Sequence, residues 1–408
     1  MVDFLKNNKT PVETDDFVFD KRLYVIFLII FTEVLGFSIV LPLIPFLGLS
    51  LGLTPIQIGL IASVFSFCQL FASPITGKLS DYFGRKPLLI LSQVSTLAGF
   101  MVLGFSTTAI LLIAARLIDG LLGSNMTVSQ AYISDIIEPK HRTRVYGYSS
   151  GVFGAGLIFG PFIGGVLSQI NYSVPMFFAA AITVVSIVLV LFLPETITKK
   201  TEKISLGFND IIPINEVNGF LKTRHVRNNL LMFFIYGLGF HLFISNFSLL
   251  AETQLHVDAA QVSFYMAWIG ILRVIIQTVL IARILQAFGE DRMLRTGIVA
   301  MVISMVSLAL SADYLFVFVP LVFLAYGTGV SRPILTSKLV NSVTKKETAT
   351  ILGVNNSLTS LAQIITPIAG GFIIQYLPSQ TLPILSALFF SAILFLTKQN
   401  KKFTPNPN

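Results

Sequence analysis

Five charged side chains stand inside long runs of apolar residues: Glu33, Arg116, Asp119, Arg273 and Arg332. An ionised group loses several kcal/mol of solvation when hydrocarbon replaces the water around it, so such residues are rare unless they are paired or used. Glu33 has no basic residue within its own apolar run. A carboxyl group in that setting can take up and release a proton. The chemistry that these residues suggest is therefore proton exchange.

Arg116 and Asp119 are three residues apart, so on a helix they share a face with Gly120 and Gly123. Two interpretations follow from this spacing. The two charges can simply neutralise each other, or they can take part in the exchange of a proton with another acid.

The elements that hold these residues are long and apolar. Only 12% of the 408 residues are charged and 54% are hydrophobic, whereas a soluble domain carries about 25% charged residues. Runs of about 20 apolar residues, enough to cross a bilayer, recur along the chain. We count twelve such runs: 23–47, 55–77, 87–105, 109–136, 144–169, 173–194, 229–252, 259–285, 293–311, 314–340, 350–376 and 380–397. The sequence therefore predicts an all-α integral membrane protein with twelve transmembrane helices.

The basic residues predict the orientation of these helices. Almost all of the 28 Lys and Arg residues fall in connections on one side of an alternating twelve-span path, and the connections on the other side hold none. By the positive-inside rule, both termini and the 195–228 loop are expected in the cytoplasm. The segment GKLSDYFGRKP (77–87) is then expected to be a short cytoplasmic turn.

Two stretches of the chain repeat each other. The segments 138–165 and 344–371 superpose at a shift of 206 residues, and YFGRKP pairs with AFGEDR (287–292) at a shift of 205. This predicts two parallel six-helix pseudo-repeats, an arrangement typical of secondary transporters with a substrate site between the halves. The predicted units are a cytoplasmic segment 1–22, a bundle 23–194, a linker 195–228, a second bundle 229–397 and a tail 398–408.

Several motifs carry a family resemblance. The sequence GKLSDYFGRKP resembles the signature between the second and third helices of the major facilitator superfamily. The segment LIAARLIDGLLG (112–123) resembles the fourth-helix signature of the same superfamily. Three further motifs are similar to those of its drug/proton antiporter branch, which includes tetracycline/proton antiporters and multidrug exporters: FTEVLGFSIVLPLIP (31–45), GAGLIFGPFIGG (154–165) and LPET (193–196). The resemblance implies the major facilitator fold.

The resemblance assigns roles to two groups of residues. A cytoplasmic latch, which holds one state of the transport cycle closed, would contain Gly77, Asp81, Gly84, Arg85, Lys86 and Asp135. In this prediction Asp81 accepts backbone donors at a neighbouring helix start and Arg85 pairs with Asp135. An antiporter-type fifth helix, packed against the other half, would use Gly156, Gly160, Pro161, Gly164 and Gly165. The simpler alternatives are charge that only sets topology and glycines that only allow tight packing.

In the family, the first and fourth helices flank a central cavity, which implies that Glu33 lies near Arg116 and Asp119 and that these three residues couple protons to transport. The polar residues expected to line the cavity are Gln69, Asn125, His241, Arg273, Gln277, Arg332, Asn355 and Asn356. Apart from the two arginines, each could instead serve only to join helices by hydrogen bonds. The second half departs from some relatives because it has no clear acid at membrane depth.

We therefore expect a secondary carrier that works by alternating access, most simply a proton-coupled antiporter that exports small amphiphilic compounds or drugs. The alternative is a proton-coupled or facilitative uptake carrier for an anionic or zwitterionic metabolite; a non-transporting sensor on the same fold is a third reading. The sequence has no Walker loop, metal-ligand cluster or catalytic triad, so we expect no enzyme activity and no cofactor or metal, with a proton gradient as the energy source. The expected partners are a small-molecule substrate, protons and the lipid bilayer, without nucleic acid. A monomer in the plasma membrane is expected.

Overall fold

The chain folds almost entirely into helices. The computed structural model describes residues 19–197, 214–311, 313–344 and 347–401. Its helices are α1 (Arg22–Ser50), α2 (Pro55–Phe83), α3 (Arg85–Gly104), α4 (Ala109–Leu122), α5 (Asn125–Ile136), α6 (Pro139–Ser168), α7 (Ser173–Leu191), α8 (Ile214–Lys222), α9 (Arg224–Leu255), α10 (Ala259–Ile275), α11 (Ile281–Ala309), α12 (Phe318–Val340), α13 (Thr348–Tyr376) and α14 (Thr381–Lys401). A π-helical turn, Ile276–Leu280, joins α10 to α11.

Eleven helical stretches of the described chain are long and apolar enough to cross a membrane, and a twelfth apolar helix covers Thr381–Thr397. One of the crossings consists of α4 and α5 together, and another continues from α10 through the π-turn. The predicted all-α membrane architecture is therefore confirmed. Residues 1–18 and 198–213, which belong to the predicted N-terminal segment and linker, and most of the predicted tail lie outside the described residues.

The expectation that 77–87 forms a turn was wrong. Helix α2 continues to Phe83 and α3 begins at Arg85, so the connection is Gly84 alone. Gly84 has a φ of 110°, a conformation that side chains other than glycine rarely adopt. At the paired position of the second half, Gly289 kinks α11 with a φ of 71°. The two pseudo-repeats thus share the same glycine-dependent change of direction.

The connections at one end of the bundle hold most of the Lys and Arg residues, and the connections at the other end hold none. We call the end where α2 meets α3 the basic end and the end where α1 meets α2 the far end. At the far end, Thr54 caps α2 with Gln57, and Asp258 caps α10 with Gln261, each in a reciprocal capping box. These equivalent caps start equivalent helices of the two halves, as expected for parallel repeats.

The halves, α1–α7 and α9–α14, meet along α2 with α13 and along α6 with α10. At the far end this contact is very close. A Cβ on Gly59 would overlap the carbonyl oxygen of Pro367, and a Cβ on Gly371 would overlap that of Pro55. The hydroxyl of Ser63 donates to the carbonyl oxygen of Ile364 at 2.7 Å. The small residues therefore bring the two backbones together there.

The glycines of α6 serve two contacts. Gly156 and Gly160 pack closely on Val34, Leu35 and Ser38 of α1, within the same half, and Gly164 lies against Ile39. Gly165 instead packs on Ser263 of α10, across the interface between the halves. Only part of the motif therefore contacts the other half. Pro161 lies within this helix, at the level where it packs on α1.

At the basic end the glycines of α6 and α13 show no such close contact. Gly147 of α6 and Gly353 of α13 are both exposed, and a Cβ on either would meet no described atom within 4 Å. We infer from this difference that the two halves are closed on each other at the far end and open at the basic end.

We predict that Gly59→Ala disrupts closure of the far end, because its Cβ has to displace the Pro367 backbone. Overpacking of this kind costs about 1–3 kcal/mol, which corresponds to a shift of about tenfold in the closed population. The measurement is cross-linking by a short bifunctional thiol reagent in a Cys68→Ala background with cysteines at positions 56 and 375, where the Ile56 N–H donates to Gln375 Oε1 at 3.3 Å. Gly353→Ala is the matched control and should cross-link normally. Equal yields from the two glycine variants would contradict the prediction.

Candidate functional site

A continuous hydrogen-bond chain joins two carboxyl groups within the first half. The Asn125 side-chain amide donates to Glu33 Oε2 at 2.7 Å and to Thr96 Oγ1 at 3.1 Å. The Thr96 hydroxyl in turn donates to Asp119 Oδ1 at 3.0 Å. Asn125, Thr96 and Asp119 are buried, whereas Glu33 is only partly buried. Glu33 is therefore the more accessible end of the chain.

Arg116 lies at the other end of this chain. Its Nη2 is 3.7 Å from Asp119 Oδ2, and its guanidinium carbon lies 5.6 Å from the ring centroid of Phe65, in the range of a cation–π contact. The side chain is only 3% exposed. Its Nε and Nη2 have no hydrogen-bond partner among the described residues. The ion pair is thus loose, and Arg116 retains donors for a further acceptor.

A break between α4 and α5 makes this arrangement possible. Gly123 and Ser124 leave the helical conformation, and the freed Gly123 carbonyl oxygen accepts from Gln69 Nε2 at 3.0 Å. Asn125 then starts α5. A Cβ on Gly123 would lie 2.7 Å from Asp119 Oδ1, so a larger residue would push into the carboxylate. Backbone polar groups at membrane depth need partners, and the Gln69 side chain supplies one.

The sequence analysis brought Glu33, Arg116 and Asp119 together, and the structure places them in one cluster. Glu33, however, is hydrogen-bonded to Asn125 rather than to Arg116. Sequence reasoning missed Thr96. Its only signal is its place among several polar residues on α3, an otherwise apolar helix: Ser92, Gln93, Ser95 and Thr96.

A second cluster lies at the basic end, around Arg85. The guanidinium contacts Asp81 Oδ1 at 2.6 Å and Asp135 Oδ2 at 2.9 Å, and it donates to Ser80 Oγ at 2.5 Å. The predicted pair of Arg85 and Asp135 is therefore present. It ties the start of α3 to the end of α5.

Glu195, in the LPET segment, caps the start of α3. Its carboxylate accepts from the backbone N–H groups of Arg85 at 2.9 Å and Lys86 at 3.1 Å, and from those of Thr196 and Ile197. Burial favours a higher pKa for Glu195, but the N–H donors of Ile197, Arg85, Lys86 and Thr196 outweigh it and hold the pKa below its ordinary value. The LPET motif alone gives no indication of this role for Glu195.

These contacts correct one expectation about the latch. Glu195, and not Asp81, accepts the backbone donors at a helix start, while Asp81 pairs with Arg85. Position 84 has to be glycine, because a Cβ there would overlap the Glu195 carboxylate. A Cβ built on Gly77 would lie 3.6 Å from a methyl group of Thr127, which is an ordinary contact. All of these residues belong to the first half. Their role as a latch between halves stays a prediction.

The second half contributes a different set of side chains. Arg273 and Arg332 take part in none of the ion pairs seen in the described part of the chain. Gln277, in the π-turn, donates to the Gly329 carbonyl oxygen at 3.3 Å, so it joins two helices. The ring of His241 lies 5.3 Å from that of Phe240.

Two adjacent asparagines on α13 have different surroundings. Asn355 is 5% exposed and its Oδ1 has no partner within the described residues, whereas Asn356 is exposed. Of the predicted cavity residues, Gln69, Asn125 and Gln277 therefore join helices, and Arg332 and Asn356 are open to their surroundings.

Comparison with known proteins gives relatives that are named for tetracycline or multidrug resistance. The tetracycline resistance protein, class H, of Pasteurella multocida is 28% identical over 363 residues, which are 88% of this chain and 90% of the relative. Multidrug resistance protein 2 of Bacillus subtilis (strain 168) is 25% identical over 358 residues, 86% of this chain and 89% of the relative. The predicted likeness to the drug-exporting branch is confirmed.

Solved structures share the fold. The human organic anion transporter MFSD10 (TETRAN) matches with a TM-score of 0.67 at 21% identity, over 92% of this chain and 98% of that one. The nucleoside transporter NupG matches with a TM-score of 0.74 at 12% identity, over 94% of this chain and 100% of that one. At these identities the likeness shows the fold alone.

The sequence model of the Major Facilitator Superfamily matches residues 26–229 and, in a second copy, residues 229–407. Together the two matches span nearly the whole chain, and they coincide with the two helical halves. This protein belongs to the Major Facilitator Superfamily of multi-pass membrane transporters, and it is not an enzyme.

Proposed function

We propose that this protein is a proton-coupled antiporter that exports small amphiphilic compounds. The observation that carries the proposal is the hydrogen-bond chain from Glu33 through Asn125 and Thr96 to Asp119. It places two acids at membrane depth, where an uncompensated charge is costly. One of them, Glu33, is accessible enough to exchange a proton and a substrate group in turn.

The net charge of the first half couples proton binding to substrate transport. When Glu33 is ionised, the first half carries two carboxylates and one guanidinium, and closing the cavity around them buries a net charge. A proton on Glu33, or a cationic group of the substrate beside it, removes that cost. The carrier that holds neither a proton nor a substrate therefore rarely changes between its inward-open and outward-open states. As a result, a proton moves inward in exchange for each substrate that moves outward.

The orientation follows from the charge of the loops. We assign the basic end to the cytoplasm and the protein to the plasma membrane, so that the conformation described above is open to the cytoplasm, where an exporter collects its substrate. No cofactor enters the cycle, because the proton gradient supplies the energy. A monomer suffices, since the cavity lies between two halves of one chain. The relatives' names, tetracycline and multidrug resistance, are consistent with export.

A second candidate function is uptake of an anionic or zwitterionic metabolite. It is favoured by the free donors of Arg116 and by the two arginines of the second half that lack an ion pair in the described structure. Counterflow in vesicles with an imposed pH gradient separates the two functions, because they differ in direction.

The orientation predicts that tags at either terminus and within 195–228 are reached only from the cytoplasmic side. Impermeant labels should react with them in inverted vesicles and not in intact cells. A tag inserted after Gly52, in the connection between α1 and α2, is the matched control and should show the reverse. Labelling of a terminal tag from outside intact cells would overturn the assignment.

Glu33→Gln keeps the shape of the side chain and imitates the protonated form. We predict that it abolishes transport driven by a pH gradient, leaves substrate binding within about twofold, and retains part of substrate-for-substrate exchange. The measurement is proton flux per substrate in proteoliposomes, with a ligand chosen from a thermal-shift panel that includes tetracycline. Glu252→Gln, a carboxyl change at the far-end part of α9, serves as the control. Undiminished proton-coupled flux in Glu33→Gln would leave Asp119 as the candidate.

Thr96→Val removes the donor to Asp119 and the acceptor for Asn125 at nearly constant volume. A buried hydrogen bond of this kind is worth about 1–3 kcal/mol, so we predict that proton-coupled flux falls about tenfold and that its pH profile moves. Thr96→Ser retains the hydroxyl and should restore both. If the valine and serine variants behave alike, the hydroxyl has only a packing role.

A further inference from the structure

Arg273 and Arg332 lie side by side at membrane depth. A Cβ built on Gly329 of α12 would be 3.8 Å from Cγ of Arg273, so the arginine stem runs along α12 at a glycine. Arg332 is three residues further on and therefore projects from the same face. Arg273 is 14 residues beyond Ala259, and Arg332 is 14 residues beyond Phe318, so each is about 21 Å from the far end of its helix.

The two guanidinium groups have no compensating acid among the described residues. They lie within electrostatic range of each other. The titratable side chains facing them from α9 are Tyr236 and His241, neither of which supplies a negative charge near neutral pH. Two like charges at this depth raise the free energy of the empty cavity, and a bound anion is what lowers it.

The local backbone holds the pair in place. The π-helical turn Ile276–Leu280 begins three residues after Arg273, and within it Gln277 donates to the Gly329 carbonyl oxygen. Turns of this type inside α-helices often mark functional sites, because they change the direction of nearby side chains. Arg332 is exposed and Arg273 partly buried, so both remain open to a ligand.

We propose that Arg273 and Arg332 form a subsite for the anionic group of an amphiphilic substrate, such as a carboxylate or sulfonate. Guanidinium groups bind such oxyanions through paired N–H donors. Beside them, the ring of Phe240 is partly exposed and offers an apolar surface to the body of the ligand, and it stacks on the buried ring of Tyr236 with centroids 6.0 Å apart. The substrate class inferred here rests on the proposed function in one respect: a substrate that replaces the proton at Glu33 also needs a cationic group. The substrate class that meets both demands is a zwitterionic amphiphile.

Four dansyl compounds test the proposal, because they share one apolar body and differ in charge: dansylglycine (anion), ε-dansyl-lysine (zwitterion), dansylcadaverine (cation) and dansylglycinamide (neutral). Trp268 is the single tryptophan of the chain and lies five residues before Arg273 on α10, so energy transfer from Trp268 to the dansyl group reports binding at this place. The purified full-length protein in detergent micelles is titrated without a pH gradient. We expect the zwitterion to bind most tightly, followed by the anion.

Arg273→Gln and Arg332→Gln should each weaken binding of the two carboxylate probes about tenfold and leave the neutral and cationic probes within about twofold. Unchanged binding of the neutral probe also shows that the variants are folded. Arg283→Gln, at an exposed arginine of α11, is the matched control and should change none of the four affinities. Equal losses for all four probes, or no loss for the carboxylates, would overturn the subsite.

The subsite and the antiport can fail separately. A carboxylate preference that depends on Arg273 and Arg332, found together with proton-independent flux, would support the subsite and contradict the proposed coupling. Proton-coupled flux that needs Glu33, found without any preference for carboxylates, would do the opposite.

Discussion

The cost of leaving a charge or a backbone polar group unsatisfied in hydrocarbon governs this structure. It explains why the break at Gly123 is accompanied by Gln69, whose amide takes over the freed carbonyl oxygen. It also explains why Arg116 lies over a ring and near a carboxylate. In the proposed antiport, the same cost would make the carrier sensitive to protons, because each acid at membrane depth needs a partner. Stability and the proposed coupling would then have one physical origin.

At the basic end, each half has an ion pair between two helices, and the acid and the base are interchanged between the two halves. In the first half, Arg85 at the start of α3 pairs with Asp135 at the end of α5. In the second half, Asp291 pairs with Lys338 at 2.6 Å, so the acid lies after the glycine kink and the base lies on the neighbouring helix. Each pair stays within its own half. This arrangement is consistent with the proposed alternating access, in which the halves would move against each other as units and the small-residue contacts at the far end would open and close.

The crossings and the charge bias could be predicted because both are properties of single stretches of sequence. Glu33, Arg116 and Asp119 were found for the same reason, since a charge inside an apolar run is visible without any contact. Thr96 was not, because a threonine in a membrane helix usually bonds its own backbone and gives no sign that it bridges two other side chains. The break at Gly123 and the capping by Glu195 depend on neighbours distant in sequence. The turn at 77–87 was predicted too long because a single glycine with positive φ can reverse direction where polar composition suggested a loop.

In the proposed cavity between the halves, the distribution of charge would give two unlike walls. The first half would present two carboxyl groups, with Arg116 beside Asp119, and the second half would present two guanidinium groups that have no acid beside them in the described residues. A ligand with one charge sign satisfies only one wall and leaves the other to be compensated by a proton or by solvent. A ligand with both signs satisfies the two walls at once, and it also draws the halves together across the open basic end. In such a carrier the charges that bind the substrate and the charges that drive closure are the same ones.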